Sequence, residues 1–171
     1  TLSLRTAQPD DLPGVDLLLS RSYPRLLARD YPPSVLVTAV PLIARAKPDL
    51  LASGRYYVVE DAGGRILGAG GYSLALTARR TGPDDPRRVA HIRHVATDPD
   101  ATRRGIASAI VRWTIGAAVG EGVSGFECLS TRTAVPFYAA MGFVTLRKAD
   151  VTLAPGISFP AVLMQRPPVA P

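Results

Sequence analysis

Val95-Ala96-Thr97-Asp98-Pro99-Asp100-Ala101-Thr102-Arg103-Arg104-Gly105-Ile106-Ala107-Ser108 is the stretch that decides the fold. It runs from an extended segment through a turn into a short basic bend that contains a glycine. A helix is expected to start directly after the bend. A helix start leaves several backbone N–H groups without intrahelical partners, with the positive end of the helix dipole behind them. Phosphate oxygens suit such a terminus. The chain is therefore expected to hold a phosphate-bearing ligand.

Outward from that bend, the alternation of residues predicts a strand over His91 to Thr97. The helix is expected from Gly105 to about Val119. Ile106, Ile110 and Trp113 or Thr114 form one apolar stripe, and Ala107, Val111 and Ile115 lie beside it. Gly120 and Gly122 are placed to end it. Further on, Gly125 to Leu129 reads as a strand. Thr131 to Met141 reads as a short helix stopped by Gly142. Phe143 to Leu153 and Ile157 to Met164 are two closing strands that turn at Pro155-Gly156. Upstream, Arg55 to Glu60 and Arg65 to Leu74 form a hairpin across Asp61-Ala62-Gly63-Gly64. Residues 78 to 88 are a polar, arginine-rich loop.

The N-terminal third is less regular. Leu2, Leu4 and Thr6 alternate with polar residues in a short first strand. Asp10 or Asp11 is expected to cap a helix through about Arg21, with Pro13 in its first turn. Residues 22 to 54 are expected to be helical pieces broken by Pro24, Pro32, Pro33, Pro41 and Pro48. The resulting order, β-α-α-β-β-β-α-β-α-β-β, indicates an α/β chain in the α+β sense: a mixed sheet with helices on its faces.

Composition narrows the function classes. The chain has 171 residues, 47% hydrophobic and 20% charged, ordinary values for one globular domain spanning 1–171. No apolar run has the length of a membrane span. No basic segment followed by an apolar one opens the sequence, so a cytoplasmic protein is expected by elimination. A single cysteine, Cys128, forms no internal disulfide framework. The net charge is +6. Only Lys47 and Lys148 are lysines, and the arginines are scattered in pairs (Arg79–Arg80, Arg87–Arg88, Arg103–Arg104). No aromatic residues interleave with them as a base-stacking platform requires, so no nucleic-acid partner is expected.

Two motifs carry a family resemblance. The strand, turn and Arg103-Arg104-Gly105-Ile106-Ala107 bend resemble the acetyl-coenzyme A motif of the GCN5-related N-acetyltransferases. Pro136-Phe137-Tyr138-Ala139-Ala140-Met141-Gly142-Phe143 is similar to that family's second motif, an aromatic pair followed by a glycine-aromatic turn. The likeness covers the whole chain in outline and is sharpest over residues 90 to 145. One position departs from the pattern: Thr102 stands where the motif usually begins with glutamine or arginine. The resemblance implies a mostly antiparallel central sheet of about seven strands in the acyl-CoA N-acyltransferase fold. It also implies acetyl-CoA as cosubstrate and a small amine or peptide as acceptor.

On that reading, the backbone of Thr102 to Ala107 and the Ser108 hydroxyl meet the pyrophosphate. Gly105 and Ala107 let the phosphates approach the main chain; the alternative is that they serve close helix–strand packing. The pantetheine arm contains amides and can pair with a strand edge as a peptide does. Val95, Ala96 and Thr97 are the edge positioned for it. In the family this strand splays from the next one and opens a slot for the arm.

Transfer needs a base for the amine and an acid for the departing thiolate. The second motif makes Tyr138 the candidate acid, with Phe137 beside it in the core. His91, six residues before Thr97, lies on the strand entering the site, where some members of the family carry a catalytic glutamate. Its reference pKa of about 6.5 suits proton uptake near neutrality. Strand alternation sets His94 on the opposite face, so no metal pair is expected, and Cys128 reads as buried filler. The acceptor pocket is expected from residues 22–54, the 78–88 loop and the final hairpin. Two functions follow: an N-acetyltransferase, or a non-catalytic acyl-CoA-binding sensor or partner module of the same fold. A homodimer is the general expectation if the chain associates.

Overall fold

A computed structural model describes residues 1–74 and 88–166. Strands β1 (Ser3–Thr6), β2 (Tyr56–Glu60), β3 (Ile66–Leu74), β4 (Val89–Thr97), β5 (Gly125–Ser130), β6 (Val144–Ala154) and β7 (Ile157–Arg166) form one seven-stranded sheet. Its order is β1-β2-β3-β4-β5-β7-β6. Every neighbouring pair is antiparallel except β4 and β5, which run parallel. The helices are α1 (Leu12–Leu27), α2 (Pro33–Thr38), α3 (Val40–Ile43), α4 (Pro48–Leu51), α5 (Ile106–Gly120) and α6 (Val135–Ala140). The parallel pair has to be joined by a crossover, and α5 is that crossover. The expected mixed, mostly antiparallel sheet of about seven strands flanked by helices is what the chain forms.

Each face of the sheet carries its own core. On one side, Val111 and Ala118 of α5 pack with Tyr72, Ala90, Ile92, Phe126 and Cys128. On the other, Val15, Leu18 and Leu19 of α1 pack with Tyr56, Val58, Ala69 and Ala96. A smaller cluster joins Leu27, Tyr31 and Val40 to Phe159 and Ala161 of β7. Helix α5 lies close against β3 because β3 offers glycines beneath it. A Cβ on Gly70 would stand 2.8 Å from Ile110 Cγ2, and one on Gly68 would overlap Ile106.

Several boundaries differ from expectation for identifiable reasons. Helix α1 runs to Leu27, through Pro24, instead of stopping near Arg21. Pro33, Pro41 and Pro48 do not break helices; they occupy the first turns of α2, α3 and α4, where a missing N–H costs nothing. Asp11 does not cap α1 with its side chain. Its carboxylate accepts the Gln8 N–H at 2.7 Å and two Arg5 N–H groups at 2.8 Å each. Helix α6 starts at Val135; the residues from Thr131 form a turn closed by Ala134 N–H to the Thr131 carbonyl at 3.2 Å. On α5 it is Thr114 that is buried, while Trp113 is 56% exposed. Of the arginine-rich loop, residues 78–87, with Arg79, Arg80 and Arg87, lie outside the described residues. Arg88 donates from Nη1 to the Glu121 carbonyl at 2.9 Å.

One irregularity positions everything else. Arg93 pairs with Gly71 and Ala96 with Ala69, so His94 and Val95 together face the single residue Gly70. His94 has φ +49. This is a β-bulge, and it switches the faces of β4. Ile92 packs on the α5 side and Ala96 on the α1 side, although residues four apart on an unbroken strand share a face. The alternation that sets His94 opposite His91 therefore does not carry through position 94.

Candidate functional site

Strands β4 and β5 touch only at their starts. Val89, Ala90 and His91 pair with Gly125, Phe126 and Glu127, and beyond that the strands part. After the bulge, Val95–Thr97 keeps β3 on one side, with Ala69 opposite Ala96 and Gly68 opposite Thr97. On its other side the pairing with β5 ends at Glu127, and β5 continues along β7, which lies on its far edge. The gap opens into a cleft of about 530 Å³.

The lining joins four pieces of chain. Val95–Thr97 forms one wall, and Thr102, Arg103 and Gly105–Ser108 form the mouth. Thr131, Thr133, Ala134, Phe137 and Tyr138 close the β5–α6 side. Ser22, Tyr23, Leu26 and Leu27 of α1 cover the remaining side. Nearly all the positions expected to meet a cofactor are thus brought together. Arg104 is the exception: it is exposed and does not line the cleft.

The mouth is formed by a sharp backbone turn into a helix start. Gly105 precedes α5 with φ +76, and Arg103 has φ +63, so the chain turns sharply into the helix. Among the described residues, no side chain caps α5. Its first N–H groups have no intrahelical partner, and the helix dipole lies behind them. The packing alternative for Gly105 does not hold, because a Cβ there would meet nothing within 4 Å. Its glycine is needed for the left-handed turn and leaves the mouth open. The turn before it, Pro99–Ala101, is held by Asp98, which is 2% exposed and accepts the Asp100 N–H at 2.9 Å. Asp98 also accepts from Arg21 Nε at 3.2 Å and Arg65 Nη2 at 3.1 Å, tying α1 and the β2–β3 turn to the cleft mouth.

Tyr138 reaches the cleft from α6 and is 6% exposed. Its ring meets Phe137 and Phe143 edge-on, with centroids 5.1 and 5.3 Å away. Phe137 is only half-buried and lines the cleft as well, so the aromatic pair shares the wall instead of dividing into core and site. Burial holds the Tyr138 phenol well above the ordinary tyrosine value, with Cys128, Tyr23 and Tyr56 adding in the same direction. A phenol so placed keeps its proton at neutral pH. Tyr23 is raised by burial too. The sequence offered no signal for Tyr23 or Ser22, which lie on a stretch of α1 read as broken.

His91 is not brought into the cleft lining. It sits where β4 and β5 are still paired, its Nδ1 3.8 Å from Glu127 Oε2, both side chains about a third exposed. His94 lies deeper; burial, helped by Arg93 and Lys47, pushes it down to about 4. Cys128 is 2% exposed, and burial pushes its thiol up to about 12, which leaves it protonated and inert. Among the described residues, no cluster of three or more histidine, cysteine or acidic side chains could hold a metal ion. Among them, too, no helix is long and apolar enough to cross a membrane.

Around this split parallel pair, bulge and uncapped helix, a model of the GNAT acetyltransferase domain matches residues 52–145. This chain belongs to the GNAT acetyltransferase family. The matched span contains β4, the α5 mouth and Tyr138 of this GNAT domain. Solved structures share the fold at low identity. A GCN5-related N-acetyltransferase from Rhodopseudomonas palustris is 20% identical with a TM-score of 0.76, covering 98% of this chain and 96% of that one. The PaiA N-acetyltransferase of Thermoplasma acidophilum, solved with coenzyme A, is 14% identical with a TM-score of 0.68, covering 98% and 99%. The ribosomal-protein-S18-alanine N-acetyltransferase of Escherichia coli is 16% identical with a TM-score of 0.64, covering 100% and 96%. No curated protein matches the chain.

Proposed function

We propose that this GNAT domain, a single unit over residues 1–171, works in the cytoplasm and transfers an acetyl group from acetyl-CoA to a primary amine. The observation that supports this best is the β4–β5 split leading to the uncapped start of α5. The pyrophosphate sits on the amides of Gly105 to Ser108, with Thr102 and Arg103 beside it. The pantetheine arm runs along Val95–Thr97, where the strand lacks a second neighbour. The thioester then lies toward the bulge and Tyr138.

The amine nitrogen attacks the thioester carbon directly. A tetrahedral intermediate forms, the C–S bond breaks, and the sulfur leaves with the electron pair. Tyr138 gives its phenolic proton to that sulfur, so free CoA departs as the thiol. The nitrogen loses its extra proton to His91 through one water, with Glu127 orienting the ring from Nδ1. His91 releases its proton to solvent, solvent returns one to the Tyr138 phenolate, and the cycle is complete. No acyl-enzyme is needed, in keeping with the inert Cys128 thiol.

The non-catalytic module remains the second reading, and one observation favours it: among the described residues, no histidine or carboxylate lines the cleft itself. Thermal-shift titration with CoA and acetyl-CoA tests both readings. Stabilisation by both ligands is expected, and its absence would remove each. Acetyl-CoA consumption across a panel of amines then separates them. Turnover with at least one amine supports the enzyme, and binding without turnover supports the module.

A further inference from the structure

We infer that Ser22 of α1 donates a hydrogen bond to a carbonyl of the pantetheine arm, a contact that rests on the acyl-CoA reading above. Ser22 is 1% exposed, and its hydroxyl has no partner among the described residues. It nevertheless lines the cleft. A serine inside a helix commonly bonds back to a carbonyl three or four residues earlier. Ser20 does this to Leu17 at 2.9 Å, and Thr38 to Ser34 at 2.7 Å. Ser22 forgoes that bond while shut away from solvent. A buried hydroxyl left unpaired destabilises the empty protein, so a partner is expected when the cleft is filled.

The salt bridges beside it say which part of the ligand is in reach. Arg21 pairs with Asp98 at 3.2 Å and with Asp100 at 3.0 Å, and Arg25 reaches Asp100 at 3.5 Å. These contacts pin one turn of α1 over the bend that directly follows Thr97. Leu26, one helical turn after Ser22, lines the cleft with it. Ser22 therefore stands beside the end of β4, between the α5 mouth and the bulge. The arm, rich in amide carbonyls, passes there. The phosphates stay at the mouth and the acceptor amine beyond the bulge. Thr114 supplies the control, since its hydroxyl is equally buried and unpaired but lies on the core face of α5 away from the cleft.

Ser22→Ala and Thr114→Val are compared by calorimetric titration with CoA and, as a competitor carrying the diphosphate without the arm, with ADP. In the absence of ligand, both variants are expected to melt at or above the parent temperature, because each loses an unsatisfied buried hydroxyl. Ser22→Ala alone is expected to bind CoA roughly three- to tenfold more weakly, with ADP unchanged. Parent-like CoA binding by Ser22→Ala overturns the assignment. So does an equal loss for ADP, which would move the contact to the phosphates, or a rise confined to the acceptor KM, which would move it to the amine. A parent that binds no CoA refutes the acyl-CoA reading itself, and that result is distinguishable from all of these.

Discussion

The two ends of β4 are one strand in two environments. At its start, Val89 to His91 is zipped to β5, and Ala90 and His91 pair with β3 as well. At its end, Val95–Thr97 has β3 on one side and the cleft on the other. Backbone N–H and C=O groups inside a fold are almost always paired. An edge left open in the middle of a sheet therefore suits a ligand that pairs as a strand does, as proposed above for the pantetheine arm. The bulge at His94 separates the two regimes. His91 lies before it, and the cleft-lining residues Val95–Thr97 lie after it.

The comparison can be broken by substitutions that act on one end and spare the other. Tyr138→Phe keeps the ring and removes the proton. Its kcat is expected to fall on the order of a hundredfold or more in a steady-state assay, with CoA affinity unchanged. Parent-like turnover would end the acid assignment. At the mouth, Gly105→Val puts a β-branched residue at φ +76 and a side chain where the phosphates lie. CoA binding should weaken about a hundredfold, equal to losing one or two charge-assisted hydrogen bonds, and calorimetric titration reads this directly. Stability should fall by about 1–3 kcal/mol as well, seen in denaturant melts.

Smaller effects sharpen the other end. His91→Gln leaves the carrier site intact, so CoA titration should be unchanged. The pH–rate profile should lose its acidic limb, and kcat at neutrality should drop roughly tenfold, because the ring acts through a water. A limb that persists would assign the proton to another group. His94 gives a stability signature. Its folded value of about 4 lies below the unfolded value of about 6.5, so the unfolded chain binds the proton first. Stability is lost as pH falls from 6.5 toward 4, by roughly 3 kcal/mol at the lower limit. His94→Asn, which tolerates the positive φ, should show a shallower decline in parallel melts across that range. Equal slopes for the two proteins would mean that His94 is not held neutral.

The parts of the site that could be read in the sequence are those where local chemistry has one solution. Gly105 between a basic bend and the Ile106/Ile110 stripe admits a helix start and little else. Tyr138 came with its motif and reaches the cleft. The bulge could not be read, because His94 is an ordinary residue in a strand-like run and the positive φ is imposed by tertiary pairing. Pro24 misled the reading of α1, since proline usually ends helices and here lies within one. Ser22 and Tyr23 were hidden by the same error. The run Gly68-Ala69-Gly70-Gly71 does carry a legible signal, since glycines in a strand mark where another backbone or helix comes close. Arg104 belongs to the motif whose backbone was expected at the pyrophosphate, but it is exposed and lies outside the cleft lining.

A crystal structure with bound acetyl-CoA tests the central claim most directly. Diphosphate density on the amides of Gly105 to Ser108, with the arm between Val95–Thr97 and the departing β5, is the predicted result. An empty cleft with the carrier bound elsewhere would contradict it.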